Sequence, residues 1–195
     1  MSGHEPGVDP PDRVSATHLD GGALFRAHAA FVAGFLGRLG VEPPELDDAV
    51  QEVFLIAHRR GGFVVEGVQP TTWLAEIALR VASGMRRSRR RHAALVAAAG
   101  AEGGGATPFE ALAATESLAR VQRALDTLSL EHRAVFILYE IEGAPCESIA
   151  AGMRIPIGTV YSRLHAARRG FQEAYARLTG ERPAAVPSGT RREAV

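Results

Sequence analysis

Apolar positions along the chain recur at helical spacing in two blocks, and nowhere do they alternate as a strand pair would. In the first block, "GALFRAHAAFVAGFLGRLG" is amphipathic and offers Phe25, Phe31, Phe35 and Leu39 as core candidates. "EPPELDDAVQEVFLIAHRR" follows: a helix starting at Pro44 or Glu45, with Leu46, Ala49, Val50, Val53 and Phe54 as its buried seam. After a loop from Gly61 to Pro70 comes "TTWLAEIALRVASGMRRSRRRH", capped by Thr71 or Thr72, with Trp73, Leu74, Ile77, Val81 and Met85 as the apolar stripe.

In the second block, "LSLEHRAVFILYEIEG" predicts a helix capped by Ser129, with Leu130, Ala134, Ile137 and Leu138 on one face and Gly143 ending it. "APCESIAAGM" predicts a short helix with Pro145 near its first position, and "RIP" a tight turn. A longer helix then starts at about Thr159 and runs to Leu178, with Val160, Leu164, Ala167, Phe171, Ala174 and Leu178 facing inward. Short helix, tight turn and longer helix make the helix-turn-helix pattern.

Composition sets the boundaries. Residues 1–22 are rich in Pro, Gly and Asp and read as a disordered tail; 23–92 form the first helical domain. The small, Gly-rich run 93–115 reads as a flexible linker whose ends can extend the helices. Residues 116–180 form the second domain, and 181–195 a second disordered tail. The expected fold class is therefore all-α, two small helical domains on a tether.

Charge narrows the chemistry. Twenty-two basic and twenty-two acidic residues leave the 195-residue chain formally neutral, so attraction to a charged partner must come from local patches. All the basic side chains counted there are arginine, which excludes Schiff-base lysine chemistry and a GxxxxGK[ST] phosphate loop. The single cysteine, Cys146, cannot form a disulfide framework or a CxxC metal pair, which fits a reducing cytoplasm. Near a helix start it is also a candidate for a low-pKa thiol. The N-terminus has no apolar signal region and no run is long enough to cross a membrane, so no membrane insertion is expected. No HExxH, nucleophile elbow or EF-hand loop appears; neither an enzyme activity nor a cofactor is expected.

Three polar surfaces remain. On the last helix Ser162, His165 and Arg169, with Tyr161 and Arg168 beside them, present donors and positive charge with no carboxylate before Glu173, as phosphates and guanine edges require. On the second helix Asp47, Asp48, Gln51 and Glu52 form an acidic face flanked by Leu55, either solvated or matched to a basic partner. After Arg80, five arginines crowd positions 86–91, which is a solvated run or a phosphate-tracking surface.

The stretch "LDTLSLEHRAVFILYEIEGAPCESIAAGMRIPIGTVYSRLHAARRGF" resembles region four of the sigma-70 family, especially its extracytoplasmic-function (ECF) branch. "ELDDAVQEVF" and "TTWLAEIALRVASGMRRSRRR" resemble region two of the same family. The resemblance implies a factor that binds core RNA polymerase and directs promoter recognition and transcription initiation, commonly restrained by an anti-sigma factor. It implies that Thr159, Tyr161, Ser162, Arg163, His165 and Arg169 contact the upstream duplex element. It further implies that Asp47, Asp48, Gln51, Glu52 and Leu55 dock on the polymerase. The Gly61–Pro70 loop and third helix would read the downstream element as melted single strand, with Phe63, Trp73, Arg80, Arg86, Arg87 and Arg90 as the candidates. Trp73 lies on the apolar stripe, which favours a core place over stacking on a base. The chain departs from the family at Arg80 (usually Asn), Gly84 (Asp), Arg154 (Gly) and Tyr161 (Lys or Arg). A stand-alone helix-turn-helix regulator is the alternative; it leaves the first block without a role.

Overall fold

The computed structural model describes residues 18–64, 68–98 and 116–180. The tails expected over 1–17 and 181–195, and the linker over 99–115, lie outside the described residues.

The first unit is a three-helix bundle of α1 (Gly21–Arg38), α2 (Pro43–Arg59) and α3 (Pro70–Ala98). Each start has a local cause. Asp20 caps α1, its carboxylate accepting from the Ala23 amide at 2.7 Å. Two prolines open α2, where their missing N–H groups cost nothing. α3 starts at Pro70, before the predicted Thr71 or Thr72 cap, because proline suits the first turn; the Thr72 hydroxyl lies inside the helix and donates to the Gln69 carbonyl at 2.9 Å. The predicted seam of α2 is buried apart from half-buried Leu46, and Phe35, Leu36, Leu74 and Ile77 are wholly inside. Each such side chain contributes roughly 1.5–3 kcal/mol of apolar burial.

Three expectations are corrected here. Residues 18–22 belong to the folded unit: His18–Leu19 (β1) pairs antiparallel with Phe63–Val64 (β2), and α1 starts at Gly21. This two-residue ladder is too short to register as alternation. Phe25 is 46% exposed, because Leu24, Val32, Phe35, Leu36 and Leu39 carry the inward stripe; its ring rests edge-on against Phe54 at 5.1 Å. Finally, α3 passes His92 and continues to Ala98, since Ala-rich sequence extends a helix without penalty.

The second unit contains α4 (Glu116–Asp126), α5 (Leu130–Phe136), α6 (Cys146–Met153) and α7 (Ile157–Thr179). Ser129 caps α5 through His132, as expected. The end of α5 widens into a π-turn over Ile137–Ile141, and Gly143, at φ 69°, releases the chain. Arg154 closes α6 in the left-handed conformation, φ 56° and ψ 45°, a conformation that favours glycine. Pro156, not Thr159, precedes the first turn of α7, which therefore starts two residues earlier than the sequence pattern predicts. Leu178 is 38% exposed at the end of the inward stripe, close to where α7 finishes at Thr179.

Arg133 joins this unit together. It is buried, donates from Nε to the Leu125 carbonyl at 2.6 Å and pairs with Asp126. Burial pulls its pKa down, and Asp126 opposes the shift.

Candidate nucleic-acid interface

The left-handed Arg154 and the fixed φ of Pro156 turn the chain sharply between α6 and α7, and α6 braces the recognition helix from behind. Val160, Leu164 and Ala167 are buried beneath α7. The opposite face therefore points outward: Tyr161, Ser162, His165 and Arg169 are exposed, with Thr159 and Arg163 half-buried beside them. Eight residues of helix rise separate Tyr161 from Arg169, about 12 Å, which matches the width of a major groove. Ser162 donates to the Thr159 carbonyl at 3.1 Å and keeps its acceptor capacity outward.

Arg168 is the exception on this helix. Its Nε donates to Glu140 at 2.5 Å, and its guanidinium lies 5.0 Å from the Tyr139 ring centroid. It therefore ties α7 to the π-turn; the predicted outer face loses this cation. Spacing on α7 alone could not reveal a partner on α5's extension.

The acidic face of α2 is presented as expected. Asp47, Asp48 and Gln51 are exposed and Leu55 is 47% exposed, while Glu52 is half-buried with Arg59 at 3.9 Å. An ion pair that long and that exposed is worth little, so the face keeps its negative potential.

The single-strand candidates divide. Arg86, Arg87 and Arg90 are exposed along α3 and line one wall of a cleft of about 410 Å³. Arg80 pairs with Glu76, whose carboxylate also accepts from Arg60 at 2.9 Å. Neighbouring Arg89 bonds Glu42 and Glu45 and staples α3 to the start of α2. Phe63 and Trp73 are only 4% and 9% exposed, with ring centroids 5.3 Å apart. Phe63, expected to stack on a flipped base, is instead covered in this conformation at the junction of β2 and α3, while Trp73 takes the core place that its position on the apolar stripe favours. Residues 65–67 of the same loop lie outside the described residues.

Cys146 is buried at the first position of α6, and its thiol pKa is raised by desolvation first and by Glu147 second, with Arg168 opposing. The low-pKa thiol reading is thereby overturned: a helix start of eight residues does not outweigh burial. No cluster of three or more metal-ligating side chains occurs among the described residues, and no helix among them is long and apolar enough to span a membrane.

Comparison with known proteins matches each of the two units separately. The family model for sigma-70 region 2 matches residues 24–92, and that for sigma-70 region 4 matches residues 118–169. The chain is 32% identical to the RNA polymerase sigma-H factor of Pseudomonas aeruginosa, over 77% of this chain and 83% of that protein. It is 33% identical to the ECF RNA polymerase sigma factor SigL of Mycobacterium tuberculosis, over 82% of this chain and 93% of that protein. It is 32% identical to the ECF RNA polymerase sigma factor SigE of Mycolicibacterium smegmatis, of which it spans 62%. Among solved structures, the fold is similar to that of the sigma factor RpoE of Bartonella quintana, solved with the anti-sigma factor NepR (TM-score 0.60, 24% identity, 81% of this chain and 96% of that one). It is also similar to that of CnrH, solved with the cytosolic domain of CnrY (TM-score 0.55, 23% identity, 83% of this chain and 89% of that one). A stand-alone regulator would leave the region-two match unexplained. The chain belongs to the sigma-70 family, and within it to the ECF RNA polymerase sigma factors.

Proposed function

We propose that this chain lends promoter recognition to core RNA polymerase and carries no catalytic chemistry of its own. Residues 23–92, with α3 continuing to Ala98, act as region two; residues 116–180 act as region four; 93–115 tether them. The exposed α2 face of Asp47, Asp48, Gln51, Glu52 and Leu55 docks on a basic and apolar surface of the polymerase. The outer face of α7, from Thr159 and Tyr161 through Ser162, Arg163 and His165 to Arg169, enters the major groove of the upstream element. Arg86, Arg87 and Arg90 follow the melted strand of the downstream element, with Phe63, Trp73 and Arg80 engaging it once they are uncovered. The protein works in the cytoplasm, and an anti-sigma factor is its expected restraint.

One observation carries this reading. A single neutral chain exposes an acidic face with an apolar flank on one helix and a face without carboxylates on the recognition helix of the other unit. Two surfaces of opposite character, each on its own small unit, suit a protein that bridges a machine and its template. The test is core-dependent run-off transcription together with holoenzyme assembly by size-exclusion chromatography. The wild type is expected to assemble and transcribe, and Asp48→Arg/Gln51→Arg to lose both at least tenfold while remaining folded. Unchanged assembly by the double variant would sink the docking assignment.

A further inference from the structure

The leading turns of α7 carry no group able to read a base by two hydrogen bonds. Residues 155–162 are Ile, Pro, Ile, Gly, Thr, Val, Tyr and Ser. In the major groove guanine is read by the fork of arginine or by lysine, and adenine by the amide of asparagine or glutamine. None of these stands on α7 before Arg163, which is half-buried and, two residues on, does not share the face of Tyr161. Arg168 is held by Glu140. The first exposed guanidinium on the helix is that of Arg169, about 18 Å along the axis from Ile157.

What these turns expose instead is apolar. Ile157 is 39% exposed and Tyr161 54%, although Val160 and Leu164 next to them are buried. Four residues apart, the two side chains stand one above the other, with Cβ atoms about 5–6 Å apart. The Tyr161 hydroxyl has no hydrogen-bond partner among the described residues. The pair adjoins exposed Ser162 and His165, so it continues the face that enters the groove. Only one base edge in the major groove is apolar: the 5-methyl group of thymine, which apolar side chains contact. Base pairs rise about 3.4 Å each, so the spacing of the two side chains covers two neighbouring pairs. The Ser162 hydroxyl suits any base, which leaves discrimination to the methyl contacts.

We propose that Ile157 and Tyr161 are specificity-determining residues: they read thymine methyl groups in the pairs met by the leading turns of α7, so the chain selects A·T pairs there by apolar contact. The assignment rests on α7 being the helix that enters the upstream element, and it adds Ile157 to that surface. The same surface accepts 5-methylcytosine better than cytosine, since both thymine and 5-methylcytosine present the methyl at the same place.

The test uses the holoenzyme and genomic fragments on which it yields a run-off product, with the upstream element randomised and the bound duplexes recovered. Thymine is expected at two neighbouring positions. Replacing each selected thymine by deoxyuracil removes only its methyl and is expected to weaken holoenzyme binding about fourfold, the effect of burying one such group. 5-Methylcytosine is expected to bind about fourfold better than cytosine at the same position. In Ile157→Ala/Tyr161→Ala the deoxyuracil penalty should fall below about twofold, because the methyl has lost its partner, whereas Tyr161→Phe keeps the full penalty. The deoxyuracil comparison alters only the DNA and so decides the matter whether or not a variant folds. Guanine selected at the leading positions would overturn the proposal in favour of Arg154, exposed in the preceding turn. Equal binding of thymine and deoxyuracil duplexes, or a methyl effect that survives in the double variant, would overturn it too. So would a loss in Tyr161→Phe as large as in Tyr161→Ala, which would assign the hydroxyl to a phosphate. The absence of any run-off product with core polymerase would instead overturn the promoter-directing reading itself; selective binding without a methyl effect sinks only the present assignment.

Discussion

Arginine at position 154 is held at φ 56°, a conformation that costs an L-residue with a Cβ on the order of 1 kcal/mol relative to glycine. The strain sits between the support and recognition helices, where the turn angle sets how α7 is presented. Arg154→Gly is expected to stabilise the second unit by about 1 kcal/mol, less a few tenths for the looser unfolded chain, and to raise its thermal midpoint by several degrees. Differential scanning calorimetry checks this; an unchanged or lowered midpoint would mean that the arginine side chain compensates for its backbone. The opposite case is Arg133, which is almost fully buried and satisfied by the Leu125 carbonyl and Asp126. Arg133→Leu leaves a buried carbonyl without its donor and should cost about 2–3 kcal/mol in urea unfolding, with α4 and α5 losing their mutual anchor. A loss below 1 kcal/mol would mean that water replaces the guanidinium freely.

Whole helices were easier to read than their ends or their pairings. The seam of α2 and the stripe beneath α7 follow from a 3.6-residue period that both burial and backbone geometry obey. Ser129 was legible as a cap because its hydroxyl acts within three residues. Phe25 was misread because a helix with apolar residues on most sides has no unique inward face, and only packing against α2 and α3 chooses Leu24 instead. The β1–β2 pair and the Arg168–Tyr139 contact join residues far apart in sequence, so no local pattern announces them. Among the candidate site residues, the exposed ones on α2 and α7 and the burial of Trp73 were legible from periodicity; the burial of Phe63 was not, since it depends on the pairing of β2 and on packing against Trp73. The start of α1 also gives a pH prediction. Asp20 has its pKa lowered below 3.8, chiefly by accepting the Ala23 amide. A carboxylate depressed in the folded state stabilises it above the unfolded pKa and loses that contribution as pH falls through the folded one. Order at the first turn of α1 should therefore fade on acidification below about pH 3.8, read by amide chemical shifts of Gly22 and Ala23. Asp20→Asn should remove that step, and a step that persists in the variant would assign it to another group.

The molecule as a whole is neutral, so its attraction to a polyanion has to be built from surface patches that act within a Debye length of about 8–10 Å. That makes salt dependence a direct reporter of which arginines meet phosphates. Each phosphate neutralised on a single strand steepens log K against log salt by about 0.7, and on a duplex by about 0.9. In the proposed holoenzyme Arg86, Arg87 and Arg90 lie along the melted strand, while Arg89 is occupied by Glu42 and Glu45. Replacing the three together by alanine should make the slope for promoter binding shallower by about 2, because three contacts at about 0.7 each are lost. The polymerase makes its own phosphate contacts, yet these are common to both proteins and cancel in the difference. Arg89→Ala alone should act differently, loosening α3 from α2 and lowering stability with little change in slope. Filter-binding titrations of the two holoenzymes at several salt concentrations give the difference. Equal slopes would return the arginine run to the status of a solvated helix surface, and the downstream strand would then need another path across the first unit.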